Sequence, residues 1–180
     1  MFVTTAGLTT VTPLVGESAQ PENHEVEGSD NMNLEIPGSL KTEHEELHEE
    51  LVRVTRAGGK TGEAAQAVAK VLHPHFVKEE QLAMPPLGLL GALAAGRMPP
   101  NAEEVVKLSD DLKKELPAML KEHGNIVVAL DALANAARQE NKQAAQQFAE
   151  KLKQHAKTEE EVLYPAAILV GEYIKLKRNR

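Results

Sequence analysis

The sequence predicts an all-α protein, an up-down four-helix bundle made of two helical hairpins related by a pseudo-twofold axis. Three observations predict it. Four long amphipathic segments follow one another with almost no strand signal. Pro and Gly fall between them or at isolated points within them. The second half of the chain then repeats the first at a set of matched positions, at an offset of eighty.

The first 35 residues are rich in Thr, Gly, Pro, Asn and acids without lasting periodicity, and are expected to form a flexible arm. Residues 36–180 are expected to form the bundle. After the Pro37-Gly38-Ser39 turn, with Ser39 as the expected N-cap, helix one is predicted from Leu40 to Thr55. Arg56-Ala57-Gly58-Gly59-Lys60 breaks it. Helix two starts near Thr61, again read as a cap, and runs to Met84, with Pro74 disturbing it. Pro85-Pro86 interrupts it, an apolar piece follows from Leu87 to Ala95, and residues 96–100 form a loop. Asn101 caps helix three, which reaches Glu140 with a kink or a division at Pro117. Helix four spans Asn141 to Lys177, with a second kink at Pro165.

Composition narrows the chemistry. The chain has no cysteine, which removes disulfides and thiolate metal sites, so any metal must be held by nitrogen and oxygen. The net charge of −7 argues against nucleic acid, and the basic run Lys175 to Arg180 is read as complementing the negative end of the last helix dipole. No apolar run is long enough to span a bilayer and no signal peptide is read at the N-terminus, so a cytoplasmic protein without membrane partners is expected.

The repeat extends to polar residues. Ala65, Gln66, Ala69 and Leu72 recur as Ala145, Gln146, Ala149 and Leu152; His75, Glu79, Glu80 and Pro85 recur as His155, Glu159, Glu160 and Pro165. At an offset of seventy-nine, Glu43-His44, Leu47 and Leu51 recur as Glu122-His123, Ile126 and Leu130. His75 and Glu79 lie within the apolar seam Val68, Leu72, His75, Glu79, Leu82, and His155 and Glu159 within Phe148, Leu152, His155, Glu159, Val162. Both seams step by four and three, the spacing of a buried helix face. Burying an ionised glutamate without compensation costs several kcal/mol or forces it to protonate. A cation between Glu79 and Glu159 would compensate both. His44, His75, His123 and His155 with Glu79 and Glu159 therefore form the candidate metal set. One ion could hardly use six donors, whereas two ions could take two histidines each and share the glutamates. Such ligation suits iron and also accepts manganese or zinc.

These residues resemble a known family. The stretches Leu40-Lys41-Thr42-Glu43-His44-Glu45-Glu46-Leu47, His75 to Pro85, Glu122-His123 and His155 to Pro165 are similar to hemerythrin-like proteins of the bacterial and archaeal HHE cation-binding type, over roughly residues 37–175. The resemblance implies a non-haem di-iron centre, its two iron ions oxo- or hydroxo-bridged. It also implies a small ligand (oxygen, nitric oxide or peroxide) handled in carriage, sensing, iron handling or stress defence. The oxygen carriers have a second histidine on helix three where this chain has Val127, and an aspartate five residues after the last histidine where this chain has Glu159 four after. Both departures count against reversible oxygen carriage and leave di-metal binding intact.

Two other classes stay open: a metal-free helical interaction module whose His–Glu pairs only fix packing, and a redox-inert zinc bundle. The sequence also leaves room for a homodimer. His48, one turn after His44, is read as a surface or supporting residue, and His73 as a surface one. His24 is read as idle in the arm. Glu43, Glu80, Glu122 and Glu160 are read mainly as a solvated face, with imidazole orientation the competing role. Tyr164, nine residues beyond His155, is expected to pack near the bundle end.

Overall fold

The computed structural model describes residues 34–179; the arm and His24 fall almost wholly outside them. Among the described residues, six α-helices build the fold: α1 (Gly38–Thr55), α2 (Gly59–Leu82), a short α3 (Leu90–Ala94), α4 (Ala102–Gln139), α5 (Gln143–Thr158) and α6 (Tyr164–Arg178). A π turn over Glu159–Leu163 joins α5 to α6, so the two form one continuous rod. That rod, α1, α2 and α4 make the four-helix bundle, with no strand among the described residues. Helix α1 packs on α2 and α5, and α4 packs on α2, α5 and α6.

The apolar stripes meet in two main clusters. One gathers Leu47, Leu51, Val68, Leu72, Leu130 and Leu152, and the other Leu87, Leu112, Met119, Tyr164 and Ala167. The polar seam residues are buried too. At the α6 end a third cluster holds Leu89, Val105 and Ile174, with Leu34 against it. Here α4 and α6 touch closely: a Cβ on Gly171 would stand 2.4 Å from the Ser109 Cβ, and Ser109 Oγ donates to the Ala167 carbonyl at 2.8 Å.

Helix starts differ from the sequence expectation. Pro37 and Gly58 occupy the N-cap positions of α1 and α2, and neither Ser39 nor Thr61 is a cap. The cap of α2 comes from across the bundle. Glu140, at the end of α4, accepts from the Lys60 N–H at 2.8 Å, the Thr61 N–H at 3.2 Å and the Thr61 hydroxyl at 2.7 Å. A carboxylate at a helix N-terminus both satisfies orphan donors and complements the dipole. Gly59 lets it approach, since a Cβ there would stand 2.6 Å from the Glu140 Oε1 and φ is +61°. Asn101 does precede α4, but its side chain makes no capping bond.

The proline expectations divide. Helix α4 continues unbroken through Pro117, and α2 through Pro74, both on the exposed side. Pro165 does disturb its helix, but the irregularity lies upstream. The Tyr164 N–H bonds the Glu159 carbonyl, five residues back. The first half shows the same bond, from the Met84 N–H to the Glu79 carbonyl at 2.9 Å. In each case the following proline has no N–H to continue the ladder. After Met84 the chain leaves α2 as a 3₁₀ turn, Pro85–Leu89, whereas after Tyr164 it resumes as α6. Helix four also begins later than expected: Asn141 takes φ +55° and ends α4, with the Lys142 N–H bonded to the Ala137 carbonyl at 2.8 Å.

The remote cap has a measurable pH signature. Its hydrogen bonds, first those to Lys142 and Thr61, lower the Glu140 pKa to about 2. A lowered folded pKa contributes stability that is present above the ordinary value near 4.5 and is lost as pH falls through 2. Glu140→Ala is expected to lower the melting temperature by a few degrees at pH 7. The difference from wild type should shrink in thermal melts as pH falls from 4.5 towards 2.

Candidate metal centre

All six sequence-predicted donors are buried and converge between the two main apolar clusters. Glu79 is fully inaccessible, Glu159 is 1 % exposed, and His44, His75 and His123 are 2 % exposed. Each hairpin supplies one histidine from its first helix and a His–Glu pair, four residues apart, from its second. That spacing puts both side chains of the pair on one helix face.

The donors form two groups. His75, His123, Glu79 and Glu159 bring one ligand atom each within 4.8 Å of one another, and so do His44, His155 and Glu159. Glu159 belongs to both. Its Oε1 lies 2.9 Å from His155 Nε2 and 3.5 Å from His44 Nε2, while its Oε2 lies 3.4 Å from His123 Nε2. Glu79 divides its oxygens likewise, Oε1 at 3.3 Å from His75 Nε2 and Oε2 at 3.9 Å from His44 Nε2. Each carboxylate thus faces one imidazole pair with one oxygen and the other pair with the second.

The outer imidazole nitrogens are held by glutamates from neighbouring helices. Nδ1 donates to Glu80 from His44 at 3.3 Å, to Glu122 from His75 at 2.8 Å and to Glu160 from His123 at 2.8 Å. The His155 Nδ1 stands 3.2 Å from Glu43. A carboxylate only accepts, so Nδ1 carries the proton and Nε2 is left to face inwards. The four pairs form a closed circuit through α1, the α5–α6 rod, α4 and α2. This overturns the solvated-face reading of these glutamates. They are partly exposed, but each is aimed at a ring. The signal in the sequence was that an acid adjoins every predicted donor on helices one and three and each glutamate on helices two and four.

Tyr164 is the residue that sequence reasoning misplaced. It is 1 % exposed, and its hydroxyl hydrogen-bonds Glu79 Oε1, 3.2 Å from His123 Nε2 and 3.5 Å from His75 Nε2. Measuring from His155 made it look distant, yet it follows Glu159 by only five residues. The π turn rotates it inwards, and long helical side chains lean towards the N-terminus, here towards the site. His48 and His73 are exposed and lie beside each other, ring centroids 5.9 Å apart, outside the centre. Phe76 stacks on the His44 ring at 4.1 Å and shields it.

The electrostatics call for positive charge. Burial and then the Glu159 carboxylate push the Glu79 pKa up. Burial would do the same to Glu159, but the imidazoles of His123, His155 and His44 hold it well below the usual carboxylate range. Burial alone would lower the His155 pKa; the Glu159, Glu43 and Glu79 charges outweigh it and raise it to about 9. His75 and His123 are raised for the same reason. Protons therefore neutralise the cluster in the absence of a metal, but incompletely. Glu79 Oε2 and His155 Nε2 are buried without hydrogen-bond partners, although His155 Nε2 is 2.9 Å from Glu159, too poorly angled for a hydrogen bond. A cation would satisfy both atoms, so the donor set fits a metal.

The comparison with known proteins agrees. A family model for the hemerythrin HHE cation-binding domain matches residues 36–167. The chain belongs to that family. No curated protein and no solved structure matches the chain. The hemerythrin match spans every donor named above, and the buried His/Glu cluster is compatible with cation binding. Among the described residues no helix is long and apolar enough to cross a membrane.

The hemerythrin-type domain should show its buried protons directly. A histidine whose folded pKa is raised contributes stability that is fully present below the unfolded value of 6.5 and is lost as pH rises through the folded value, here about 9. Metal-free protein is therefore expected to lose stability between pH 6.5 and 9, by roughly 3 kcal/mol at most from His155. Urea titrations should show this decline in wild type and flatten it in His155→Gln.

Proposed function

We propose that the domain holds two iron ions and binds or reacts with a small ligand, namely oxygen, nitric oxide or peroxide, in sensing, storage or stress defence. The observation that carries this reading is the division of Glu79 and Glu159 between two imidazole pairs. One pair, His75 and His123, faces Glu79 Oε1 and Glu159 Oε2; the other, His44 and His155, faces Glu159 Oε1 and Glu79 Oε2. That is the arrangement two neighbouring cations need from bridging carboxylates. Nitrogen and oxygen donors without thiolate suit iron, with manganese or zinc as competitors. When bound, iron would supply redox chemistry and an open position for a small ligand.

The chain's own residues set the rest. Glu43, Glu80, Glu122 and Glu160 fix the ring orientations, and a partner that orients a ligand imidazole also raises its basicity. Apolar clusters flank the donors on either side, which favours small ligands over organic substrates. Val127, half-buried on α4, replaces the histidine of the oxygen carriers, which favours sensing or reaction over reversible carriage. Cytoplasmic residence and a homodimeric state belong to the same proposal.

Anaerobic iron reconstitution tests the centre. Wild type should take up two irons per chain, and Glu79→Ala and Glu159→Ala should hold one or none, measured by metal analysis after desalting. Normal iron content in both variants would remove the bridging role. Adding oxygen or nitric oxide to the reduced protein should change its spectrum; a silent spectrum points to zinc. Glu122→Ala frees the His75 ring and should weaken metal binding by roughly 10–100-fold in a chelator competition, with the helical circular dichroism unchanged.

A further inference from the structure

We propose that Tyr164 supplies a phenolic oxygen to the cation held by His75, His123 and Glu79, so that the two seats of the centre are chemically unequal. The inference rests on the paired-ion reading above. Two donors at about 2.1 Å from one ion and at right angles to each other stand about 3.0 Å apart. The Tyr164 Oη is 3.2 Å from His123 Nε2, 3.5 Å from His75 Nε2 and in hydrogen-bond contact with Glu79 Oε1. These are separations between neighbouring vertices of one coordination shell. The two separations from the ring nitrogens are too long for Oη to occupy the position of the ion itself.

The hydrogen-bond inventory points the same way. The Nδ1 protons of His75 and His123 are committed to Glu122 and Glu160. The single hydroxyl proton of Tyr164 goes to Glu79. Once any further ring protons are released, what remains is a set of lone pairs, on Oη, on two ring nitrogens and on carboxylate oxygens, aimed at a common space. A cation is the partner that satisfies all of them together. On loading, the phenolic O–H bond breaks, an oxygen–metal bond forms and the proton leaves to solvent; no oxidation state changes in that step.

The duplicated backbone confines this donor to one seat. Both halves place a residue just before proline, with its N–H bonded to the carbonyl of the bridging glutamate. In the second half that residue is Tyr164. In the first it is Met84, also buried at 2 % exposure, whose thioether is a weak partner for a hard cation. The His44–His155 seat instead lies beside the Phe76 ring, 4.1 Å and 6.0 Å from the two imidazoles. One seat is therefore oxygen-rich, and the other has an aromatic wall.

The test is the spectrum of the full chain loaded anaerobically with two irons and then oxidised with an outer-sphere oxidant. A phenolate-to-ferric charge-transfer band is expected, with tyrosine ring modes in resonance Raman excited within it. Tyr173→Phe, which removes the other of the two tyrosines, should keep the band. Tyr164→Phe should lose it, keep two irons, and weaken one of the two binding steps roughly tenfold. Two irons in wild type without that band, or a band that survives Tyr164→Phe, overturns the assignment and leaves the paired centre standing. Fewer than two irons in wild type overturns the paired centre itself. The wild-type spectrum decides the matter even if Tyr164→Phe fails to fold.

Discussion

Two carboxylates, Glu79 and Glu159, stand in the middle of an apolar bundle with at most 1 % of their surface exposed. The rest of the structure answers that constraint. Like charges so placed cannot both remain ionised without compensation, and an uncompensated buried charge would cost several kcal/mol of a stability that totals only about 5–15 kcal/mol. Four imidazoles are drawn to them, and four outer glutamates hold the imidazoles. Two carboxylates and four rings from four helices thus fix the register of every helix at one level of the bundle.

The apolar parts complete that constraint. The cluster around Leu47, Leu72 and Leu130 closes the centre on one side, and the one around Leu112, Met119 and Tyr164 closes it on the other. A dry surround strengthens each electrostatic contact within it. Partner glutamates at the periphery stay half in solvent, so negative charge is graded from the surface inwards.

Much of this was legible in the sequence, for an identifiable reason. The repeat at an offset of eighty and the His–Glu pairs within heptad-like seams are local patterns, and helix geometry converts them directly into shared faces. What was hidden depends on contacts between segments distant in the chain. Glu140 caps α2 from eighty residues away, so Thr61 was a natural but mistaken local choice. The pairing of Glu122 with His75 or of Glu160 with His123 requires knowing which helices are neighbours. Tyr164 required the π turn, since regular helical geometry sends that position elsewhere.

The circuit of glutamates and histidines has a further consequence for how the two halves depend on each other. Its links alternate. His44–Glu80 and His123–Glu160 close within a half, whereas His75–Glu122 and His155–Glu43 cross from one half to the other. A lone hairpin would leave one of its imidazoles without an anchor, and two copies of one hairpin could close the same circuit as a symmetric pair. The connection through residues 96–100 turns that encounter between two bodies into an event within a single chain, at high effective concentration. The two halves of that circuit are not identical at matched positions, since Met84 stands in one where Tyr164 stands in the other.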